Sequence, residues 1–384
     1  MFRSLNDYNF FNKKVLVRCD FNVSIEKGKV IDNFKIKKII KTLAFLKESG
    51  AKIILISHLE KEGWKKPTLK PVVLVLSELL QSPVFFAKSC LGKKTKRMAE
   101  KLKAGEILLL ENLRRKKEEK KNGQKFSREL AQLADVYVGE AFSACHRPHA
   151  SIVGVPRHLP HFIGFECEQE VKVLSSIIEN PQRPLAVLIG GAKVASKLEI
   201  IGKFLSLADY LLFGGKTANV LLIVKGIALG RVWPGAEVAE NLKKISLTDS
   251  KIHLPLDVIA SCDEKGEIVR QTAPAKVRKD EEIYDIGPST IEKFSEIIKT
   301  AKTIFWSGDM GMVENPKFRQ GTTAIANAIV NNKAALKVAG GGETVAFIRA
   351  QGLEEEFSYL SMGGGALLEF IAKGTLPGIE ALKI

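Results

Sequence analysis

Two lysines follow a glycine pair in residues 184–201, and this order of residue types is typical of a phosphate-binding turn. The apolar run Leu185–Ile189 predicts a buried parallel strand, and the pattern becomes helical after Lys197. Backbone N–H groups, the positive end of a helix and the ammonium groups of Lys193 and Lys197 would then converge on one anion. For this stretch alone, an ordinary strand–helix turn with both lysines in solvent is an equal alternative.

Glycine pairs or triplets follow three more apolar runs. They occupy positions 214–215, 340–342 and 363–365. Four such turns in one half of the chain predict a nucleotide-sized crevice at the carboxyl ends of a parallel sheet. In the turn that ends at Thr344, backbone amides and the hydroxyl group could face phosphates, while Glu343 could hold a magnesium ion.

Two other features of this half are open to more than one reading. Lys216 and Thr217 resemble the end of a P-loop, but Tyr210 stands where that motif requires glycine, so we reject a Walker A site. Glu314 could accept a hydrogen bond from a ribose hydroxyl, and the alternative is an ordinary surface carboxylate.

Polar residues also close the strands predicted in the first half. Asp20 and Asn22 end the first strand, His58 ends the second, Arg114 ends the fourth and Arg147 follows the fifth. The carboxyl ends of parallel strands lie on one edge of a sheet. The guanidinium groups of the two arginines can each present paired N–H donors. Beside histidine, aspartate and asparagine, they predict a site for an anion that carries both carboxylate and phosphate.

The elements that must position these residues alternate between strands and helices, which predicts parallel sheets covered on both faces. In the first half, strands are predicted at 15–23, 52–57, 84–87, 107–110 and 136–138, and helices at 34–49, 69–81 and 126–134. The second half repeats the theme, with strands at 185–189, 210–213, 258–260, 303–306, 337–339 and 359–361. A helix at 166–179 is expected to connect two domains.

Length and composition agree with two domains of a water-soluble protein. The chain has 384 residues, of which 45% are hydrophobic and 27% charged. We expect no membrane span and no signal peptide. The five cysteines are scattered without CxxC spacing, which argues against a disulfide framework or zinc site and favours a cytoplasmic setting.

The positive charge is concentrated at one end of the chain. Residues 1–160 hold 33 Lys and Arg against 16 Asp and Glu, a net charge of +17, whereas the remainder has a net charge of −1. This part should therefore attract anions. Phosphorylated small molecules are favoured over nucleic acid, because the basic stretches hold almost no aromatic residues and no reader motif appears. The lysine-rich runs 93–97 and 116–121 are interpreted as solvated faces.

Nine segments of the chain resemble, in this order, the motifs of phosphoglycerate kinases. They are VLVRCDFNV, AKIILISHL, ILLLENLR, DVYVGEAF with HRPHAS, IGGAKVASK, DIGP, GGGET, SMGGGALLEF and LPGIEAL. The resemblance runs from Lys14 to Leu382, and so many ordered motifs make it specific. It implies an α/β fold of two Rossmann-like parallel-sheet domains that face each other across a hinge cleft.

The resemblance also implies a reaction, which is Mg²⁺-dependent, reversible phosphoryl transfer between ATP/ADP and 3-phosphoglycerate/1,3-bisphosphoglycerate in glycolysis. Residues 1–165 would bind 3-phosphoglycerate, residues 166–370 would bind Mg-ATP or Mg-ADP, and the tail 371–384 would fold back on the first domain. Such an enzyme works by holding two anions in line while cations neutralise the moving phosphoryl group, with hinge closure as the gate. A monomer is expected.

Specific positions follow from the matched motifs. The implied substrate-binding residues are Asp20, Phe21, Asn22, Lys35, His58, Lys61, Arg114 and Arg147. The implied nucleotide-binding residues are Lys197, Gly215, Glu314, Gly341, Gly342, Glu343 and Thr344, with Glu343 as the metal ligand. The implied catalytic groups are Lys35, Lys193, Lys197 and the backbone amides of Gly363, Gly364 and Gly365.

Several positions depart from the family's motifs. Lys35 and Lys61 replace arginine, and Glu60 replaces glycine. The other departures are Ser196 for aspartate, Lys216 for glycine, Ser307 for asparagine, Asp309 for proline, Glu343 for aspartate and Met362 for threonine. These changes leave the fold expectation intact and predict reduced activity. The alternative is a catalytically degenerate relative that binds a nucleotide or another anion without turnover.

Overall fold

The structure of the chain is a computed structural model that describes residues 1–60, 63–64, 66–227, 240, 242 and 249–384. It divides into two compact units. Unit 1 consists of residues 1–172 and 375–384, and unit 2 consists of residues 173–374. The boundaries drawn from the sequence, after residues 165 and 370, differ from these by seven and four residues.

Unit 1 is built on a six-stranded parallel sheet. The strands of unit 1 are β1 (Lys14–Cys19), β2 (Ile25–Glu26), β3 (Lys29–Val30), β4 (Lys52–Ile56), β5 (Val84–Ala87), β6 (Ile107–Leu110), β7 (Val136–Glu140) and β8 (His161–Ile163). The order in the sheet is β5-β6-β4-β1-β7-β8, and β2 and β3 form a separate two-stranded hairpin. The central strand β1 is buried from Val15 onwards, as expected for a strand covered on both faces.

Helices alternate with these strands along the chain, and the last of them continues past Lys172 into unit 2. They are α1 (Phe34–Lys38), α2 (Ile40–Glu48), α3 (Val72–Leu79), α4 (Lys93–Glu100), α5 (Lys117–Lys120), α6 (Gln124–Ala131) and α7 (Phe165–Glu179). The single helix predicted at 34–49 is divided in two at Ile39. The lysine-rich run at 93–97 lies on α4, a helix that the sequence interpretation did not include.

Unit 2 contains a second six-stranded parallel sheet in the order β11-β10-β9-β15-β16-β17. These strands are β9 (Leu185–Ile189), β10 (Tyr210–Phe213), β11 (Ile252–His253), β15 (Thr303–Ser307), β16 (Leu336–Gly340) and β17 (Tyr359–Ser361). The prediction of two parallel-sheet α/β domains is confirmed.

One predicted strand does not belong to the parallel sheet. The run at 258–260 forms β12 (Val258–Ser261), which pairs antiparallel with β13 (Val269–Thr272) and β14 (Glu282–Ile286). The expectation that it continues the parallel theme is wrong. Only seven residues separate β12 from β13, too few for the helical crossover that a parallel pair requires.

Several helices of unit 2 follow strands whose glycines were singled out above. The helices of this unit are α8 (Leu198–Leu207), α9 (Gly215–Val224), α10 (Pro288–Thr300), α11 (Gln320–Asn331), α12 (Gly342–Ala350) and α13 (Gly365–Lys373). Three of them, α9, α12 and α13, begin within four residues of the end of a strand of the parallel sheet. Their N-termini therefore lie near the carboxyl edge of the sheet.

The C-terminal segment returns to unit 1. It carries the short helix α14 (Pro377–Glu380), and Gly378 donates its backbone N–H to the Cys145 carbonyl at 2.8 Å. Leu382 is buried, and a Cβ added at Gly139 of β7 would lie only 2.6 Å from its Cδ1. The last residues are thus packed on the sheet of unit 1.

Candidate active site

Candidate side chains collect at the carboxyl edge of the unit 1 sheet. Asp20 follows β1, His58 follows β4, Arg114 follows β6 and Arg147 lies beyond β7. Strands β6, β4, β1 and β7 are consecutive neighbours in the sheet, so their carboxyl ends share one edge. The topology therefore places these four residues on the same side of unit 1.

Arg18, which is fully buried at the end of β1, fixes the ring of His58. Arg18 Nη2 lies 3.1 Å from His58 Nδ1, and Arg18 Nε donates to the Ser151 hydroxyl at 2.8 Å. Because arginine can only donate, His58 Nδ1 is the acceptor and the ring proton lies on Nε2. Burial and the nearby charge of Arg18 hold the pKa of His58 well below its usual range. His58 is therefore a neutral N–H donor.

Asp20 is an ionised carboxylate that anchors Lys35. Lys35 Nζ lies 2.8 Å from Asp20 Oδ2, and the Ser143 hydroxyl donates to the same oxygen at 2.5 Å. The backbone N–H of Asn22 donates to Asp20 Oδ1 at 2.9 Å. Burial alone would raise the pKa of Asp20, but the charge and hydrogen bond of Lys35 hold it well below its usual range. The ammonium group of Lys35 is thus fixed at this edge.

Three cationic side chains surround the carboxylate of Glu60, which lies in the loop that follows β4. Glu60 forms ion pairs with Arg114 and, at 2.5 Å, with Lys120 Nζ. Arg147 Nη1 lies 3.7 Å from the same carboxylate. The side chain of Arg114 is only 4% exposed, and burial lowers its pKa to about 10, so it keeps its charge at neutral pH. This cluster thus brings three cationic side chains together around one carboxylate.

The remaining substrate positions divide into three cases. Phe21 is fully buried, so its side chain belongs to the core, while its backbone N–H donates to Ser57 Oγ at 2.8 Å. Asn22 Oδ1 accepts from the backbone N–H of Glu60 at 3.0 Å. Lys61 lies outside the described residues.

An open basic cavity of about 770 Å³ adjoins the Glu60 cluster. Its lining residues are Leu59, Glu60, Trp64, Lys66, Pro67, Lys88, Ser89, Cys90, Glu111, Asn112, Arg114, Arg115, Lys116, Lys117 and Lys120. Three lysines of the run interpreted as a solvated face, at 116, 117 and 120, line this cavity. Lys120 is 55% exposed, which agrees with that interpretation, and its Nζ also pairs with the Glu60 carboxylate at 2.5 Å.

Two cavities open at the carboxyl edge of the unit 2 sheet. The glycine-rich cavity, about 460 Å³, is lined by Ala192, Lys193, Ser196, Lys197, Ser307, Gly308, Gly341, Gly342, Glu343, Thr344, Gly364, Gly365 and Leu368. The Tyr284 cavity, about 390 Å³, is lined by Gly191, Ala192, Gly215, Lys216, Glu264, Glu282, Ile283, Tyr284, Asp309, Gly311, Met312, Glu314 and Glu343. Ala192 and Glu343 line both cavities, so the two are adjacent.

Lys197 is the buried cation of the glycine-rich cavity. Its Nζ donates to the Gly190 carbonyl and lies 3.5 Å from the Ser307 carbonyl. Burial lowers the pKa of Lys197 to about 8, although the charges of Asp309 and Glu343 oppose the shift. Lys193, in contrast, is exposed where the chain enters the short helical turn Val194–Lys197.

Two glycines let the ends of β9 and β15 approach each other beside this lysine. A Cβ at Gly190 would lie 2.1 Å from the Asp309 carbonyl oxygen, and one at Gly308 would lie 2.3 Å from the Gly190 carbonyl oxygen. Gly308 also has a φ of +100°, which favours glycine. Only backbone without side chains fits here, which exposes carbonyl groups to Lys197.

Helix N-termini supply the other polar groups of the glycine-rich cavity. Gly342 begins α12 and Gly365 begins α13, and both residues line it. The first N–H groups of a helix have no intrahelical acceptor and favour anions. Two candidate amides are already engaged: Gly363 N–H donates to Ser361 Oγ at 3.1 Å, and Gly215 N–H donates to the Met310 carbonyl at 2.7 Å.

Thr344 and Asp309 form a buried pair between the cavities. The Thr344 hydroxyl accepts from the Gly308 N–H at 2.9 Å and hydrogen-bonds to the Asp309 carboxyl group. Asp309 is 5% exposed, and its Oδ1 has no hydrogen-bond partner in the part of the chain that the structure describes. Burial raises the pKa of Asp309 to about 6. The Thr344 hydroxyl therefore positions Asp309 rather than standing free for a ligand.

The exposed carboxylates Glu314 and Glu343 complete the Tyr284 cavity. Across the described ranges, no group of three or more His, Cys, Asp or Glu side chains is arranged to hold a metal ion.

In the described ranges, no helix combines the length and apolar character needed to cross a membrane.

Sequence reasoning missed the roles of Glu60 and Arg18 and the burial of Asp309. Glu60 was noted only as a departure from a motif, and its contacts depend on Lys120, which is distant in sequence. Arg18 carried a signal, since a charged residue inside an apolar strand needs a buried partner.

The fold and the edge residues define a class of protein. Two parallel-sheet units, one with clustered anion-binding side chains and one with a lysine and helix N-termini around a cavity, are typical of an enzyme that transfers phosphoryl groups. The sequence model of the phosphoglycerate kinase family matches residues 5–373. The chain belongs to this family.

Individual relatives agree with the family match. The phosphoglycerate kinase of Azorhizobium caulinodans is 38% identical over 392 residues, covering 100% of this chain and 99% of the relative. That of Leptospira biflexa is 41% identical over 386 residues, covering 98% and 97%. The crystal structure of the Pyrococcus horikoshii enzyme superposes with a TM-score of 0.88 at 33% identity, covering 100% of this chain and 98% of that one.

These comparisons confirm the predicted resemblance, fold class and enzyme class. The family consists of phosphotransferases of glycolysis that act on the carboxyl group of 3-phosphoglycerate and use ATP/ADP as co-substrate. The degenerate alternative is not favoured, because similarity extends over the full length of relatives named as kinases.

Proposed function

We propose that this chain transfers a phosphoryl group reversibly between Mg-ATP and the carboxylate of 3-phosphoglycerate, with the acceptor on unit 1 and the nucleotide on unit 2. The observation that carries the proposal is the division of groups between the two sheet edges. Unit 1 presents guanidinium groups beside a basic cavity, and unit 2 presents glycine turns, helix N-termini and Lys197 around a glycine-rich cavity.

On unit 1, Arg114 and Arg147 are proposed to hold the phosphate of the substrate, because guanidinium groups match phosphate oxygens with paired donors. His58 would donate its Nε2–H without adding charge. Lys35, fixed by Asp20, would neutralise the carboxylate at which the new bond to phosphorus forms. Unit 1 would thus fix the orientation of the acceptor.

On unit 2, Lys197, Lys193 and the N-termini of α12 and α13 are proposed to bind the nucleotide phosphates. The Tyr284 cavity would take the nucleoside, with Glu314 accepting from a ribose hydroxyl. Transfer needs no general base, because the attacking carboxylate is already ionised. The lysines and amides would stabilise charge on the phosphoryl group as it moves.

We infer that two carboxylates lining the Tyr284 cavity would hold a magnesium ion that binds together with the nucleotide. Asp309 Oδ1 is a buried carboxylate oxygen without a hydrogen-bond partner among the described residues, and Glu343 lines the same cavity. Carboxylate oxygens are the ligands that magnesium prefers. Asp309 and Glu343 would hold the ion, and Mg²⁺ would supply positive charge to the nucleotide phosphates.

Three further proposals concern the setting of the enzyme. None of the five cysteines, all of which lie in the described ranges, forms a disulfide, which suits a cytoplasmic location. The basic cavity of unit 1 suits small phosphorylated substrates more than nucleic acid, because Trp64 is the single aromatic residue among the described residues that line it. The protein is proposed to act as a monomer.

Calorimetric titration of matched variants tests the division of ligands. We expect Arg114→Ala and Arg147→Ala each to weaken 3-phosphoglycerate binding by about 1.5–3 kcal/mol and to leave Mg-ADP binding unchanged. Lys197→Met should weaken Mg-ADP binding and spare 3-phosphoglycerate. If Arg114→Ala instead weakens nucleotide binding, the assignment of ligands to units is wrong.

A further inference from the structure

We propose that Glu60 is an internal competitor for the phosphate of the acceptor substrate. In the free protein its carboxylate occupies the cationic cluster of unit 1, and it must leave when the substrate phosphate binds. This inference rests on the function proposed above, and it assigns to Glu60 control over substrate affinity and selectivity.

The contacts of Glu60 are those expected of a bound anion. Arg114, Lys120 and Arg147 contact one carboxylate from three separate segments of the chain, which follow β6, end α5 and follow β7. The backbone of Glu60 is tied to Asn22 by a hydrogen bond of 3.0 Å. The carboxylate is ionised, because the hydrogen bond from Lys120 and the charge of Arg114 lower its pKa despite partial burial.

Arg114 shows that this internal anion does not saturate the cluster. Its side chain is 4% exposed, yet none of its Nε, Nη1 and Nη2 atoms has a hydrogen-bond acceptor of good geometry among the described residues. The ion pair with Glu60 balances the positive charge of Arg114 but does not satisfy its N–H donors. A guanidinium group has five N–H donors, and a phosphate offers more acceptor oxygens than one carboxylate. A phosphorylated ligand would therefore satisfy Arg114 better than Glu60 does.

The side chain of Glu60 also has room to leave. It is 41% exposed and lines the open basic cavity of about 770 Å³. Lys66, Lys88 and Lys117 line the same cavity and can receive the displaced carboxylate. Displacement thus exchanges one set of cationic partners for another.

Competition of this kind has two consequences. It lowers the affinity for every anion that uses Arg114 and Arg147, since each must displace an intramolecular carboxylate. The competition also favours dianionic phosphates over singly charged carboxylates. Only the dianions gain enough binding free energy from the cationic cluster to displace Glu60.

The alternative role for Glu60 is to position Arg114 for the substrate. The two roles predict opposite results when the charge of Glu60 is removed, because loss of a competitor strengthens substrate binding and loss of a positioning group weakens it.

The test compares Glu60→Gln with Glu100→Gln, a variant of equal net charge on the exposed end of α4. Calorimetric titrations with 3-phosphoglycerate and, separately, with inorganic phosphate are made at low and moderate salt. We expect Glu60→Gln to bind both ligands roughly three- to tenfold more tightly than the wild type, since the competing ion pairs are partly exposed. Glu100→Gln should stay within about twofold of the wild type.

Unchanged or weaker binding by Glu60→Gln would overturn the inference. If neither protein binds 3-phosphoglycerate, the proposed substrate is wrong, and the inorganic phosphate titration decides the role of Glu60 by itself. Equal tightening in Glu100→Gln would show that net charge, and not the Glu60 contact, controls the affinity, and this too would overturn the inference.

Discussion

Raising the pH from 7 to 9 should weaken nucleotide binding, because it removes the charge of Lys197. Burial between the ends of β9 and β15 lowers the pKa of this lysine to about 8. A lysine with a lowered pKa is charged below that value and neutral above it. The bound phosphates would favour the charged form, so the complex should keep the proton that the free protein loses.

The size of the effect follows from this pKa. At pH 7 about nine-tenths of the free protein carries the Lys197 charge, and at pH 9 about one-tenth does. Binding through the charged form alone should therefore lose about tenfold in affinity across this range. At pH 8, about half a proton should be taken up for each nucleotide bound.

Calorimetry of Mg-ATP binding in buffers of different ionisation enthalpy measures both quantities. Lys197→Met should bind weakly and without proton uptake, whereas Lys193→Met, which alters the exposed lysine, should keep the uptake. An affinity that is constant from pH 7 to 9, with no proton taken up by the wild type, would refute a buried Lys197 as the phosphate-binding cation.

Two other predictions concern the acceptor site and the C-terminal segment. Lys35→Arg, alone and combined with Glu343→Asp, should raise the turnover measured at saturating substrates, because arginine presents two aligned donors. A fall in turnover would show that the site is organised around the Lys35–Asp20 pair. Leu382→Ala should lower the free energy of unfolding of unit 1 by about 2–5 kcal/mol in denaturant titrations. The control Leu74→Ala, at a residue 75% exposed, should change it by less than about 0.5 kcal/mol, and an equal effect of both variants would contradict the packing of the tail on unit 1.

The parallel sheets could be predicted because their signal is local. Runs such as Ile107–Leu110 and Leu185–Ile189 are apolar throughout, bounded by polar, proline or glycine residues, and they form strands with the predicted limits. The carboxyl-edge location of Asp20, His58 and Arg114 followed from the same pattern, since topology alone places the ends of parallel strands together.

Features that depend on long-range contacts were not predictable in this way. Strand β12 is as apolar as its parallel neighbours, and only the short connection to β13 places it in an antiparallel sheet. From the sequence, Glu60 resembles an ordinary surface residue. Its ion pair becomes visible only in the fold, where α5 places Lys120 beside it. Asp309 becomes a buried, partly unpaired carboxylate because Gly190 and Gly308 allow two strand ends to meet around it.

The measurement that tests the account most directly is a coupled assay of phosphoryl transfer by the full-length protein. Purified protein is supplied with 3-phosphoglycerate and Mg-ATP, and the formation of 1,3-bisphosphoglycerate is followed by its reduction in a coupling reaction. We predict turnover that requires both substrates, that is lost in Lys197→Met and that is weakened at low substrate in Arg114→Ala. Stoichiometric binding of both ligands with no turnover would contradict the account and identify a binding protein that has lost the reaction.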